Sequence, residues 1–154
     1  MKRLTQQARA DLEPELVAGA DVQPETFELP EGWEDQRVTT LFGGVCSAMY
    51  LWINGTYIGY SQVSRSAAEF DVSAALHPGT NHIAVQVHRW CDGSYLENQD
   101  MWFLSGIFRS VELRAEPLVR LDDVELCTGA ADGAGARLDV RALIGAARCP
   151  HPPP

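Results

Sequence analysis

The stretch AMYLWINGTYIGY, residues 48–60, does more than any other to restrict what this chain can fold into. Two runs of aromatic and aliphatic residues flank Asn54-Gly55. Both central residues of a type I′ turn must take positive φ, which Asn and Gly tolerate at least cost, so the pattern specifies a tight β-hairpin. Asn54-Gly55-Thr56 also spells a glycosylation acceptor. The opening residues MKRLTQQARADLEPEL carry two basic residues with no apolar run behind them. No secretory leader is expected from such a start, and the turn reading prevails.

The same logic extends along the chain. FELPEGWEDQRVTTLF opens like a strand, turns at Pro-Glu-Gly and ends in a β-branched run at Val38, Thr39 and Thr40. Ile83, Val85 and Val87 alternate with Ala84, Gln86 and His88, the period of a half-buried strand. Asp71 and Ser73 ahead of AALHPG predict one capped helical turn. GIFRSVELRAE alternates with one slip of phase, which assigns Phe108, Val111 and Leu113 to a further strand. Repeated short strands between turn signals point to an antiparallel sandwich. Pro117 marks a joint, after which LVRLDDVELCTG and ARLDVRALIGA read as two strands around the flexible AADGAG. Residues 1–24, interrupted by Pro14, Gly19 and Pro24, read as a short helix or a loose tail. The final RCPHPPP supports neither helix nor sheet, since each proline removes a backbone donor.

Composition excludes several functions. A formal net charge of −9 and the lack of a basic run argue against nucleic acid and anionic membrane as partners. No stretch is long and apolar enough to span a bilayer. Cys46, Cys91, Cys127 and Cys149 stand singly, without the close pairs of a zinc or redox motif, and read as free thiols of a reducing cytoplasm. His77, His82, His88 and His151 have no metal-ligand spacing; alternation puts His82 and His88 on the solvent side of one strand, too far apart for a single ion. Ser47 and Ser105 lack a nucleophile-elbow context. Gly43-Gly44 lacks the lysine of a phosphate loop and reads as a bend or a close backbone approach.

The stretch CDGSYLENQDMWFLSG, residues 91–106, fits no periodicity and crowds Asp92, Glu97 and Asp100 against Tyr95, Trp102 and Phe103. Acids beside aromatics suit a sugar. Glycosidases use two carboxylates across a scissile bond, but those groups normally come from different elements. Glu97 and Asp100 within one loop are better suited to ligand positioning or cation ligation, against the plainer reading of turn-capping or solvent-facing acids. Trp102 is open to stacking on a pyranose, whereas Trp52, within a strand, is assigned to the core.

VCSAMYLWINGTYIGYSQVSRSAAEFDVSAAL and NHIAVQVHRWCDGSYLENQDMWFLSGIFRSVEL together resemble the N-terminal sugar-binding domain of the large bacterial β-galactosidases of glycoside hydrolase family 2, over about residues 26–145. The RWCDGSYLENQDMW and SGIFR elements separate these from the β-glucuronidases and β-mannosidases of the family. The resemblance implies an all-β fold. Residues 26–116 would be the C-terminal part of an incomplete jelly-roll, galactose-binding-like β-sandwich, and residues 117–147 the first strands of an immunoglobulin-like β-sandwich. Residues 1–25 do not match, residues 148–154 form a Pro-rich tail, and the chain is expected to be truncated at both ends. FGGVCSA places Gly44 and Cys46 where relatives commonly carry an aspartate.

By the same resemblance, Asp100 matches the aspartate of QDMW that helps hold a sodium ion and the galactosyl unit. Glu97 and Trp102 are weaker candidates. The acid/base and nucleophile glutamates and the magnesium ligands would lie in a (β/α)8 barrel beyond Pro154, so the chain is expected to be inactive alone. The implied role is that of a fragment of a cytoplasmic β-galactosidase, hydrolysing terminal non-reducing β-D-galactose when intact. Its partners would be the galactoside substrate, the rest of the enzyme chain and further copies in a homo-oligomer. A stand-alone, non-catalytic carbohydrate-binding module is the alternative, and an assembly domain a third reading. Unpaired edges and apolar faces are expected to make the isolated chain marginally stable or self-associating.

Overall fold

The computed structural model describes residues 25–97, 99, 100, 102, 104–130, 133 and 135–146, together with the backbone of residues 8–12. The chain is almost entirely β, as expected. Its strands are β1 (Ala8–Leu12), β2 (Glu25–Glu28), β3 (Arg37–Phe42), β4 (Val45–Cys46), β5 (Ala48–Ile53), β6 (Thr56–Ser61), β7 (Ala68–Asp71) and β8 (Thr80–His88). A one-turn helix, α1 (Ser94–Glu97), is followed by β9 (Gly106–Ile107), β10 (Val111–Glu116), β11 (Val119–Ala130) and β12 (Ala136–Ala146).

Two four-stranded sheets form the sandwich, in the orders β1-β10-β3-β7 and β2-β8-β5-β6, with every pairing antiparallel. Alternation sends Val38 and Phe42 of β3 with Val111, Leu113 and Ala115 of β10 inward from the first sheet. Met49, Leu51 and Ile53 of β5 with Ile83 of β8 meet them from the second, and Trp33, Val72 and Leu76 plug the ends of the same core. Each large aliphatic or aromatic side chain buried there contributes about 1.5–3 kcal/mol.

The Asn54-Gly55 turn forms as expected, with φ of 49° at Asn54 and 77° at Gly55. Asn54 does more than turn the chain. Its amide nitrogen donates to Ala75 O (2.7 Å) and to Asn81 Oδ1 (2.8 Å), and its Oδ1 accepts from the His82 backbone N–H (2.8 Å). The fully buried Asn81 in turn donates to His77 O and Gly79 O and accepts from the His77 N–H. The hairpin is thereby tied to the β7–β8 connection. The helical turn expected there is a short 3₁₀ turn, Ser73–Ala75, opened by Asp71 Oδ1 accepting from the Ser73 N–H at 3.1 Å.

Three expectations need correction. Within the segment read as helix or tail, Ala8–Leu12 is an edge strand on β10, so part of the region before Phe27 belongs to the first sheet. Trp52 is not core: Met49, Leu51 and Ile53 take the inward positions, which turns Tyr50 and Trp52 outward. Phe108 lies outside any strand, 44% exposed, because the slip of phase falls between β9 and β10. Val85 and Val87 pack partly buried against the core, as the half-buried strand expected there requires.

β11 and β12 form a hairpin apart from the sandwich core. A register shift between Leu121 and Asp123 adds one residue to β11. That shift keeps Val119 and Leu121 on the same face as Val124 and Leu126, opposite Val140 and Ile144, while Glu125 pairs with Arg141 on the other face. The apolar face is open, its large residues 42–68% exposed. The hairpin, Val119–Ala146, falls within the segment 117–147 expected to open a second sandwich, and the tail residues 148–154 lie outside the described residues.

Candidate functional site

The loop that begins at Cys91, after β8, and ends at β9 is held at both feet by one short piece of chain. β4 pairs with β9, matching Val45 to Ile107 and Cys46 to Gly106. The next residue, Ser47, grips the other foot: its N–H donates to His88 O at 3.0 Å and its hydroxyl to Arg89 O at 2.8 Å. The exit is locked again by Phe108. Gly44 carries no side chain, and a Cβ there would stand 2.7 Å from the Phe108 ring, so the expected close approach at Gly43-Gly44 is real. Arg65 and Arg109 lie on that ring at 5.5 and 5.2 Å, and the Arg109 guanidinium also donates to Gly43 O and Arg65 O.

The first half of the loop builds itself from small polar residues. Buried Ser94 accepts from the Cys91 N–H through its hydroxyl (3.1 Å) and returns its own N–H to Cys91 O, which starts α1. Asp92 caps the Gly93 N–H at 3.0 Å. Burial, and then the neighbouring Cys91, Tyr50 and Asp92, push the Tyr60 hydroxyl above the usual phenol range.

Above this anchored base the candidate residues stand in the open. Glu97 is exposed on α1. Asp100 is exposed and holds φ at 52°, a left-handed conformation that costs a non-glycine residue energy. Trp102 is 85% exposed. Tyr95, Leu96 and Leu104 are uncovered as well, so the loop crest carries far more apolar surface than a free loop needs. Phe103 lies outside the described residues.

A hard cation takes oxygen ligands, and Asp100 supplies a carboxylate of the right kind. Among the described residues no group of three or more His, Cys, Asp or Glu converges on a metal position. His77, His82 and His88 are exposed, in accord with their expected surface role, and His151 lies outside the described residues. Cys46, Cys91 and Cys127 are free thiols. No described helix is long and apolar enough to cross a membrane.

Residues 8–117 match the family described as glycosyl hydrolases family 2, sugar binding domain. The chain belongs to glycoside hydrolase family 2. Its match begins within the segment expected to fall outside the family, at the same residue as β1. Among curated relatives, the β-galactosidase of Erwinia tasmaniensis is 58% identical over 104 residues, which cover 67% of this chain and 10% of that enzyme. Those of Psychromonas ingrahamii (53% over 102 residues, 66% and 10%) and Pectobacterium atrosepticum (51% over 118 residues, 75% and 11%) are similar. The chain thus spans about a tenth of the length of these family 2 enzymes. Among solved structures, a β-glucuronidase of an uncultured Clostridium species superposes with a TM-score of 0.66 at 25% identity, over 80% of this chain and 23% of that one. A Ruminococcus gnavus β-glucuronidase reaches 0.67 at 20% identity over 79% and 23%, a likeness of fold alone. Family 2 sandwiches therefore share this architecture across different named activities.

The sequence reading missed one feature of the surface. Tyr57 and Trp52 face each other across the β5–β6 hairpin, as do Tyr60 and Tyr50, because Ile58 is an extra residue in β6. The bulge puts all four rings on the outer face of the second sheet, with neighbouring centroids 4.7–6.4 Å apart. Strict alternation hides that arrangement. Two aromatics three apart in TYIGY were the available signal.

Proposed function

We propose that this family 2 chain supplies one wall of the substrate pocket of a β-galactosidase-type glycosidase, with Asp100 as the residue that meets the galactosyl unit. The observation that carries the reading is the loop's construction: two anchored feet under an uncovered, aromatic crest on which Asp100 is held in a left-handed conformation. Binding residues are commonly placed on loops positioned by a rigid scaffold. The named activity of the 51–58% identical relatives supplies the substrate class.

In this reading hydrolysis belongs to the retaining reaction of two glutamates supplied by another part of the enzyme. Asp100 orients sugar hydroxyls and offers one oxygen to a sodium ion, while Trp102 offers an apolar face and Glu97 remains peripheral. Magnesium would be held elsewhere in the enzyme. The free thiols suit a cytoplasmic setting, and the exposed apolar surfaces suit burial against the remainder of the enzyme and further copies of it.

The test is a chimera in which this sequence replaces its counterpart in the Erwinia tasmaniensis enzyme. Asp100→Ala is expected to lower kcat/KM for a nitrophenyl galactoside by about a hundredfold, and Glu97→Ala by less than about threefold. Equal activity of the two variants would remove Asp100 from the pocket.

A further inference from the structure

A cavity of about 600 Å³ lies on the outer face of the second sheet, lined by no residue of the Asp100 loop among those described. Trp52, Ala84 and Gln86 line it from neighbouring strands, and Asn54, His77 and His82 from the turn end. Its volume falls within the range of small-ligand sites, roughly 300–1,000 Å³.

The chemistry of the lining narrows the ligand. Among the described residues it contains no carboxylate, lysine or arginine. An anion would find no countercharge there and would meet a chain of net charge −9. A cation would find no acid. An indole beside an alanine methyl is the platform on which the C–H face of a pyranose packs, and two amides and two imidazoles border it. These polar groups are not equally committed. Asn54 is consumed by Ala75, Asn81 and His82, and its role is to fix the turn. The side chains of Gln86 and His82 make no hydrogen bond among the described residues, so they are free to engage hydroxyls. Tyr50 and Tyr57 lie against Trp52 at 6.0 and 5.8 Å and set its orientation.

From this we infer a second carbohydrate site, in which the Trp52 cleft binds a neutral oligosaccharide of pyranose units, Gln86 and His82 contacting its hydroxyls. The inference rests on the sugar-facing reading of the domain in one respect only, the class of ligand; it makes no use of Asp100. Such a site would give the chain a carbohydrate-binding role of its own, separate from any contribution to a catalytic pocket.

Calorimetric titration of the full 154-residue chain with lactose tests it. A dissociation constant on the order of 1 mM is expected, weakened about tenfold in Trp52→Ala and about fivefold in Gln86→Ala, and unchanged in Asp100→Ala. Gln86→Ala alters an outer-face side chain, so it keeps the test decisive should Trp52→Ala misfold. No saturable heat up to about 100 mM lactose would overturn the site. Binding lost in Asp100→Ala but kept in Gln86→Ala would overturn it while leaving the Asp100 pocket standing. Self-association that is abolished by Gln86→Ala, without any sugar response, would make the face a protein interface and overturn the site as well.

Discussion

Asn54 meets two demands at one position. The turn needs a residue that accepts φ of 49°, and the buried Asn81 side-chain oxygen, which also accepts from the His77 N–H, takes a second hydrogen bond from the Asn54 amide. Glycine would satisfy the first and fail the second; alanine would fail both. Losing three side-chain hydrogen bonds around a buried amide is expected to cost about 2–4 kcal/mol, with a further 1–2 kcal/mol for alanine in the left-handed region. Urea denaturation should therefore rank wild type above Asn54→Gly and Asn54→Gly above Asn54→Ala. A wild-type-like Asn54→Gly would show that turn geometry alone is at stake. Gly59 is a comparable case from the packing side: a Cβ there would stand 2.7 Å from the Phe70 ring, which packs edge-on to Phe42.

At the scale of an element, the outer face of the first sheet is organised by register. Glu116 faces Arg37 across one strand boundary, and Asp71 and Glu69 sit on the other side of β3. The Arg37 guanidinium consequently reaches Asp71 at 2.9 Å, Glu116 at 3.0 Å and Glu69 at 3.7 Å. Burial alone would lower its pKa, but Asp71 and Glu116 outweigh burial and raise it. Burial alone would likewise raise Asp71; the hydrogen bonds from Ser73 and the charge of Arg37 prevail and hold it below 3.8. A carboxyl with a depressed folded pKa stabilises the fold above its unfolded value and loses that contribution as pH falls through the folded one. The stability difference between wild type and Asp71→Asn should be full at neutral pH and shrink as pH drops below 3.8, measured by thermal melts across an acid series. A difference independent of pH would mean that the Ser73 contact, not ionisation, is what matters.

For the whole molecule, the decisive feature is the β11–β12 hairpin, whose apolar face no described part of the chain covers. Two strands alone do not make a stable unit in water, and an open apolar face with free edges invites pairing. Light scattering is expected to show a mass that rises with concentration. Leu126→Lys with Val140→Glu, a cross-strand pair on that face, should restore a monomer with an unchanged melting temperature for the sandwich. Persistent association in the double variant would move the sticky surface to the loop crest at Tyr95, Leu96, Trp102 and Leu104.

The sequence by itself determined the all-β class, the Asn54-Gly55 turn and the family of the chain. Each of these rests on local patterns: a dipeptide with one favoured conformation, strand alternation, or a long motif. Only the tertiary structure decided the rest. It turned Ala8–Leu12 into a strand, because an edge strand takes its backbone bonds from β10 and needs little pattern of its own. It moved Phe108 out of a strand and over Gly44, since the slip in alternation is resolved by a contact distant in sequence. It turned Trp52 outward, because Met49, Leu51 and Ile53 already filled the inward face. The loop from Cys91 to Gly106 shows the same division. Its unusual residues were legible as a candidate site, whereas its two feet depend on Ser47 and β4, which meet it only when the sheets close.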